Sequence, residues 1–501
     1  MFSFLALYQL CIAATSIALV GAASIPREDV FAGASTRKNA QVLILGGGVT
    51  GIIAARTLEE QGIADYLIVE ARPELGGRMM SHTFGRNKNT IELGANWVQG
   101  TQTGDGPENP IWTLAKKHKV NTRFTNFDSI TTYDYLSVFN QATDHYTALV
   151  NGAGARVPKK LVDATSRTGF SLQGSKPKTP HEMVSEYYHF DWEYADSPEH
   201  TSWIASSWAQ NATFDPEGGG FSEDNYLSVD QRGFKTLVQQ EAASFLQPSQ
   251  VRYNATVKNV AYSGSGVEVT LVDGTVLTAD YALCTFSLGV LQNDDVTFLP
   301  ALPEWKQEAI QSMTMATYTK IFLQFPKKFW FDTEFAIYAD RIRGHYPVWQ
   351  GLDLEGFFPD SGIMFVTVTG DYSLRIEALP DEQIKNEIMT VLRSMFPHIA
   401  IPDPEDFLFK RWHTDPLFRG SFSNWPASFF SEHHDNIRAN VNERLWFAGE
   451  ATSRKYFGYL HGAYFEGLDI ATRIAGCIRG GGCVNLLHYE DVTNARPYRL
   501  D

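Results

Sequence analysis

The stretch Val42-Leu43-Ile44-Leu45-Gly46-Gly47-Gly48-Val49-Thr50-Gly51 is answered by Glu70, at the end of Tyr66-Leu67-Ile68-Val69-Glu70. No other feature of the chain constrains its fold as tightly. It reads as an apolar strand, a Gly-x-Gly-x-x-Gly turn, a helix, a second strand and an acidic residue, the order of a dinucleotide-binding βαβ unit. Gly46 permits the tight turn, Gly48 lets the backbone approach a pyrophosphate, and Gly51 lets the helix pack closely on the strand. The helix N-terminus offers unpaired N–H groups and partial positive charge to phosphates. Glu70, nineteen residues after Gly51, is placed to accept hydrogen bonds from a ribose diol. A glycine triplet alone is a weak signal; the strand before it and the acid after it make the motif specific.

Three further motifs select the dinucleotide. Leu75-Gly76-Gly77-Arg78-Met79 follows directly, then Glu92-Leu93-Gly94-Ala95-Asn96-Trp97, and near the C-terminus Trp446-Phe447-Ala448-Gly449-Glu450. Together these resemble the flavin-dependent amine oxidase family, in which the same patterns surround FAD. The resemblance runs from about residue 41 to about residue 478. It is closest to the secreted plant-type polyamine oxidases, through Tyr318-Thr319-Lys320-Ile321-Phe322-Leu323 and Phe422-Ser423-Asn424-Trp425-Pro426. It implies an α/β fold: a Rossmann-like FAD-binding domain built from discontinuous segments, with an inserted α+β substrate domain.

A chain of 501 residues is too long for one simple core, and 44% apolar content is ample for two. The net charge of −15 argues against nucleic acid, whose phosphates it would repel, and suits cationic small molecules. Residues 1–23 carry no charged side chain and end in small residues, Gly21-Ala22-Ala23-Ser24, so they read as a secretory signal peptide. An uncleaved membrane anchor is the alternative, since the usual basic residue at the start is missing. A secreted, extracellular enzyme with no membrane association after cleavage is the expectation, and a monomer.

Of four cysteines, Cys11 would leave with the signal and Cys284 reads as a buried thiol in an apolar strand. Cys477 and Cys483 either bridge, in an oxidising compartment, or remain free thiols. Asn211 and Asn254 head Asn-x-Thr sequons, usable only on an exposed, secreted chain. No cysteine pattern resembles a zinc site, and no metal is expected.

Segment by segment, 38–125 reads as the first part of the FAD-binding domain and 126–230 as mainly substrate domain. Residues 231–299 return to the FAD-binding domain, 300–425 to the substrate domain and 426–480 to the FAD-binding domain, before a tail at 481–501. Within these, 126–180 looks like an insertion with few core signals, and 181–194 has helical composition with many aromatics. An alternating strand at 267–272 enters an Asp273-Gly274 hairpin turn. A helix is expected at 381–395 and another at 461–478.

The candidate site residues rest largely on the resemblance. For the cofactor they are Gly46, Gly48, Gly51, Glu70, Arg78, Trp97, Val257, Trp412, Glu450 and Leu460. By pattern alone Val257 and Trp412 are ordinary core. Lys320 lies in an apolar strand, where a single lysine by pattern points to solvent. The resemblance implies instead that it holds a water near flavin N5, its pKa lowered by burial. Tyr459 and Phe422 match aromatics that flank the substrate, and Glu193 a tunnel carboxylate; with Lys320 these are the candidate catalytic residues. Tyr188, Trp192, Tyr194, Tyr318 and Gln99 are candidate substrate contacts. Gln99 is a departure, standing where plant polyamine oxidases carry a glutamate, so one anionic anchor is lost and substrate preference is in doubt.

The resemblance thus implies oxidation of spermine or spermidine at a carbon next to a secondary amine, by hydride transfer to flavin N5. Oxygen is reduced to hydrogen peroxide and an aminoaldehyde is released. FAD is expected to be non-covalent, because no cysteine lies between Cys284 and Cys477. Besides a monoamine oxidase-like specificity, against which the acidic residues near the expected tunnel argue, two other readings remain. An L-amino-acid oxidase would need a cation for the substrate carboxylate, from Arg341, Arg343 or Arg419. A non-catalytic secreted flavoprotein is the other.

Overall fold

A computed structural model describes residues 39–133, 135–156, 159, 161–209 and 221–490. The expected signal peptide, Cys11, the sequon at Asn211 and residues 491–501 lie outside the described residues. The strand Ala40–Leu45 sits inside an eight-stranded sheet, parallel to Tyr66–Val69 on one side and to Val276–Cys284 on the other. Its side chains alternate between two apolar layers. Val42 and Ile44 pack with Ile52, Leu58, Ile470 and Ile474, while Leu43 and Leu45 pack with Val260, Val269 and Leu271. A central strand buried on both faces must be apolar at every position, and this one nearly is.

That sheet gathers distant pieces of chain. Val251–Arg252, Val257–Ser263, Gly266–Leu271, Val276–Cys284 and Thr297–Leu299 join it, and so does Leu445–Phe447, which pairs with Val276–Cys284. The expected hairpin is present: Gly266–Leu271 and Val276–Cys284 pair antiparallel around Gly274, whose φ is +86°. The last helix, Leu460–Gly480, lies against the helix Val49–Glu60, and Thr50 Oγ1 donates to Ala463 O at 3.0 Å. Cys477, in the last turn of this helix, and Cys483, beyond it, form a disulfide, and Cys284 is a buried free thiol.

A second sheet of six strands has the order Asp406–Phe409, Tyr318–Gln324, Ile363–Thr369, Val348–Gly351, Phe335–Ile337, Ile130–Thr131. All seven residues of Ile363–Thr369 are buried, and the helix Asp381–Met395 lays Ile384, Ile388 and Leu392 on Ile321, Leu323 and Val366. This helix occupies the positions expected from sequence.

Residues 126–180 differ from expectation. They contain a 21-residue helix, Leu136–Arg156, that buries Phe139, Ala142, Tyr146, Leu149 and Ala153. The three- and four-residue spacing is helical, but intervening polar residues and Gly152 and Gly154 obscure it. The aromatic stretch after it divides in two. Pro180–His189 is a helix opened by a Thr179–Glu182 capping box. A short turn, Asp191–Tyr194, follows and ends at Ala195, whose φ is +55°. Arg343 fixes this turn from the second sheet's side, donating to Asp191 at 2.9 and 2.6 Å. Among the described residues no helix is long and apolar enough to cross a membrane, and no cluster could hold a metal ion.

Candidate active site

One cavity of about 480 Å³ is walled by residues of both sheets and of the chain between them. From the nucleotide-binding unit come Gly46, Gly48, Glu70, Arg78 and Val257; from the second sheet come Tyr318 and Lys320. Trp97, Gln99, Trp192, Glu193, Tyr194, Trp412, Phe422, Glu450, Tyr459 and Leu460 complete it among the residues expected from sequence.

The glycine turn is built as its spacing requires. Gly46 has φ +117°, a conformation that side chains disfavour. A Cβ on Gly51 would lie 2.0 Å from Gly46 O, so this residue serves helix packing and is not on the cavity wall. A Cβ on Gly48 would meet nothing nearer than Gly77 Cα at 3.9 Å and would fill the space a ligand needs. Glu70 is buried, and its two oxygens accept from Gly47 N at 2.7 Å and Arg72 N at 2.8 Å. Burial pushes its pKa up and these N–H donors pull it back.

Glu450 is more heavily engaged than a free ribityl contact would be. It accepts from Arg78 at 2.9 Å, from Ser423 Oγ at 2.5 Å and from Gly458 N at 2.7 Å. It therefore ties Arg78 to the two aromatic segments, and any cofactor hydroxyl would share its remaining lone pairs. Leu460 and Ala463 put the start of the last helix on the wall, where a long helix carries partial positive charge.

Lys320 does not point to solvent. It is 3% exposed, lines the cavity and donates from Nζ to Gly94 O at 2.5 Å. Burial drives its pKa down, opposed by the charge of Glu92. Tyr318 and Phe422 stand beside it with ring centroids 5.9 Å apart.

Glu193 and Tyr459, 266 residues apart, meet through a short hydrogen bond from the phenol to the carboxylate. Glu193 opens to the cavity but is otherwise enclosed by protein, and burial raises its pKa against the effect of that bond. No Lys, Arg or His forms an ion pair with it among the described residues. Trp192 meets Trp97 edge-on at 6.0 Å, and Tyr194 donates to Ser206 O at 2.7 Å. Tyr188 does not reach the wall. It is 6% exposed and stacks behind Trp192 at 5.1 Å, so it supports that ring and does not meet a ligand. The one-turn break at Phe190 rotates Tyr188 away from the face that Glu193 presents.

Other wall residues escaped the sequence reading. Asn225 pairs with Gln99 across two antiparallel strands, and Phe127 stacks on Phe335 at 5.5 Å. Only long-range pairing brings these to the cavity, and no local pattern announces it.

The comparisons with known proteins agree with this geometry. The family model described as flavin containing amine oxidoreductase matches residues 49–475. Polyamine oxidase 1 of Zea mays is 39% identical over 478 residues, covering 88% of this chain and 92% of that protein. Polyamine oxidase 7 of Oryza sativa subsp. japonica is 38% identical over 490 residues, covering 90% and 97%. A solved putrescine oxidase, wild type bound to putrescine, shares the fold at TM-score 0.67 and 16% identity, over 87% of this chain and 99% of that one.

The chain belongs to the flavin containing amine oxidoreductase family. It is an FAD-dependent amine oxidase on an α/β fold with a Rossmann-like cofactor domain. The residues present fit FAD: the Gly48 gap, Glu70, Arg78, Val257, Trp412 and the last helix N-terminus share one cavity. No cysteine lines that cavity among the described residues, in keeping with the expectation of a non-covalent flavin. Denaturation in acid is expected to release all the yellow colour to the supernatant; colour retained by the precipitated chain contradicts this.

Proposed function

We propose that this enzyme oxidises a polyamine such as spermidine or spermine at a carbon beside a secondary nitrogen. The observation that supports this best is Glu193, a carboxylate enclosed among aromatic rings with a hydroxyl, not a cation, as its partner. A buried charge without a counterion is costly unless a ligand supplies one. A polyamine does so: a distal ammonium binds Glu193 while its alkyl chain lies along Tyr459, Phe422, Tyr318 and Trp192. Aromatic faces favour a nearby cation by about 0.5–2 kcal/mol.

FAD, which Glu70, Arg78 and the start of the last helix would hold, would supply a two-electron acceptor for hydride from the substrate carbon, with O2 as final oxidant and hydrogen peroxide as its product. The chain's residues orient the substrate and set its protonation. Exclusion of water by the aromatic wall makes an ammonium at the reacting centre less favourable, so the nitrogen whose lone pair drives the reaction sits there neutral. Lys320, buried on the same wall, presents a positive charge where charge develops.

Two of the three arginines that could serve an amino-acid oxidase are engaged elsewhere, Arg343 with Asp191 and Glu186 and Arg419 with Asp295, and Arg341 is exposed and does not line the cavity. Gln99 lines the cavity with its amide, leaving Glu193 to carry the anionic role that two acids would otherwise share. The reading extends to a secreted enzyme, for which the charge-free residues 1–23 and the exposed Asn254 sequon are the support, and to a monomer. Mass analysis of products from spermidine and spermine tests the reaction. An aminopropyl aldehyde with putrescine or spermidine places oxidation on one side of the secondary nitrogen, diaminopropane on the other. No aldehyde from either amine rejects the proposal.

A further inference from the structure

The peptide Glu92–Leu93–Gly94 runs past Lys320, with Leu93 and Gly94 on the cavity wall and Glu92 off it. Gly94 O accepts from the lysine ammonium at 2.5 Å. Two residues earlier, Glu92 ends the strand Asn89–Glu92 and is 6% exposed, and its side chain does not reach the cavity. One carboxylate oxygen accepts from Phe234 N at 2.7 Å; the other, Oε2, is buried and has no hydrogen-bond partner among the described residues. No cation lies within ion-pair distance of it among those residues. A half-satisfied buried carboxylate is expensive and calls for a charge nearby.

We propose that Glu92 is the internal counterion of Lys320, a positioning residue that holds the proton on the cavity-facing ammonium. The geometry separates their roles: Lys320 lines the ligand space, whereas Glu92 is buried two residues from the carbonyl that the lysine holds and does not line it. Burial works against both charges, driving the lysine down and the carboxyl up, and each charge offsets the penalty on the other. The other groups acting on Glu92 are Lys235, which is itself paired with Glu74 at 2.7 Å, and Asp230, which repels it. For Lys320, Glu92 is the charge that opposes the effect of burial.

The inference rests on the reading of Lys320 as the cation beside the flavin, and the test separates the two. The pH dependence of the bound flavin's visible spectrum is measured on the holoenzyme, without substrate. In the wild type a transition marks loss of the ammonium charge, and Lys320→Met abolishes it. In Glu92→Gln the carboxylate is gone and burial acts unopposed. The sign follows: the lysine loses its proton at lower pH, and the transition moves down by about one unit or more, tenfold or more in proton affinity. Glu92→Asp, which keeps the charge, stays nearer the wild type. The double variant Glu92→Gln/Lys320→Met matches Lys320→Met alone, in spectrum and in reoxidation rate. A transition that persists in Lys320→Met overturns the reading of the lysine. A transition lost in Lys320→Met but unmoved in Glu92→Gln overturns the counterion, as does an equal shift in Glu92→Asp.

Discussion

Lys320→Met is expected to slow reoxidation of the reduced flavin by O2 about 100-fold, with FAD content unchanged, the scale seen when one preorganised electrostatic group is removed. The cause is local. Lys320 is nearly inaccessible to bulk water, so its charge is weakly screened on the cavity side, and methionine fills the same space without it. No cofactor-binding glycine or acid is disturbed, because Lys320 bonds only to Gly94 O among the hydrogen bonds described. Stopped-flow mixing of the reduced enzyme with oxygen reads the effect directly. Equal rate constants in wild type and variant, with reduction by substrate also unchanged, leave the lysine without a role.

Glu193→Gln carries the second large effect. The amide keeps the hydrogen bond from Tyr459, since its carbonyl also accepts, and removes only the charge. A hydrogen bond to an ionised group is worth about 1.5–3 kcal/mol, so kcat/KM for spermidine is expected to fall about 10- to 150-fold. A monoamine without a distal ammonium should lose far less. The pH dependence has a definite sign. Burial holds the Glu193 pKa above its usual range, so acidification neutralises the carboxylate early and KM for polyamine rises as pH falls. In Glu193→Gln that limb is absent. Oxygen-electrode kinetics with spermidine and a simple alkylamine, across pH, checks all three statements; equal losses for the two amines refute the anchoring role.

Much of the cofactor side was legible because its determinants are local. The Gly46–Gly51 turn, the strands around it and Glu70 lie within thirty residues, and each has one physical use. Glu450 was found through its motif, but not its grip by Arg78, Ser423 and Gly458, which depends on segments brought together by folding. The substrate side was harder. Lys320 looks like an exposed strand lysine until the second sheet shows its side chain enclosed. Tyr188 looks equivalent to Trp192 until the break at Phe190 turns it into the second layer. The helix Leu136–Arg156 hides behind glycines and polar residues because its buried stripe is narrow. Glu92 belongs to a cofactor motif, and nothing in that motif relates it to Lys320, 228 residues away.

The most direct test of the account is anaerobic mixing of the purified holoenzyme with spermidine, followed at the oxidised-flavin absorbance band. The yellow colour should bleach completely with spermidine and persist with leucine, then return when oxygen is admitted with release of hydrogen peroxide. Colour that survives excess spermidine, or that bleaches with leucine instead, contradicts the assignment of a polyamine to the carboxylate at Glu193.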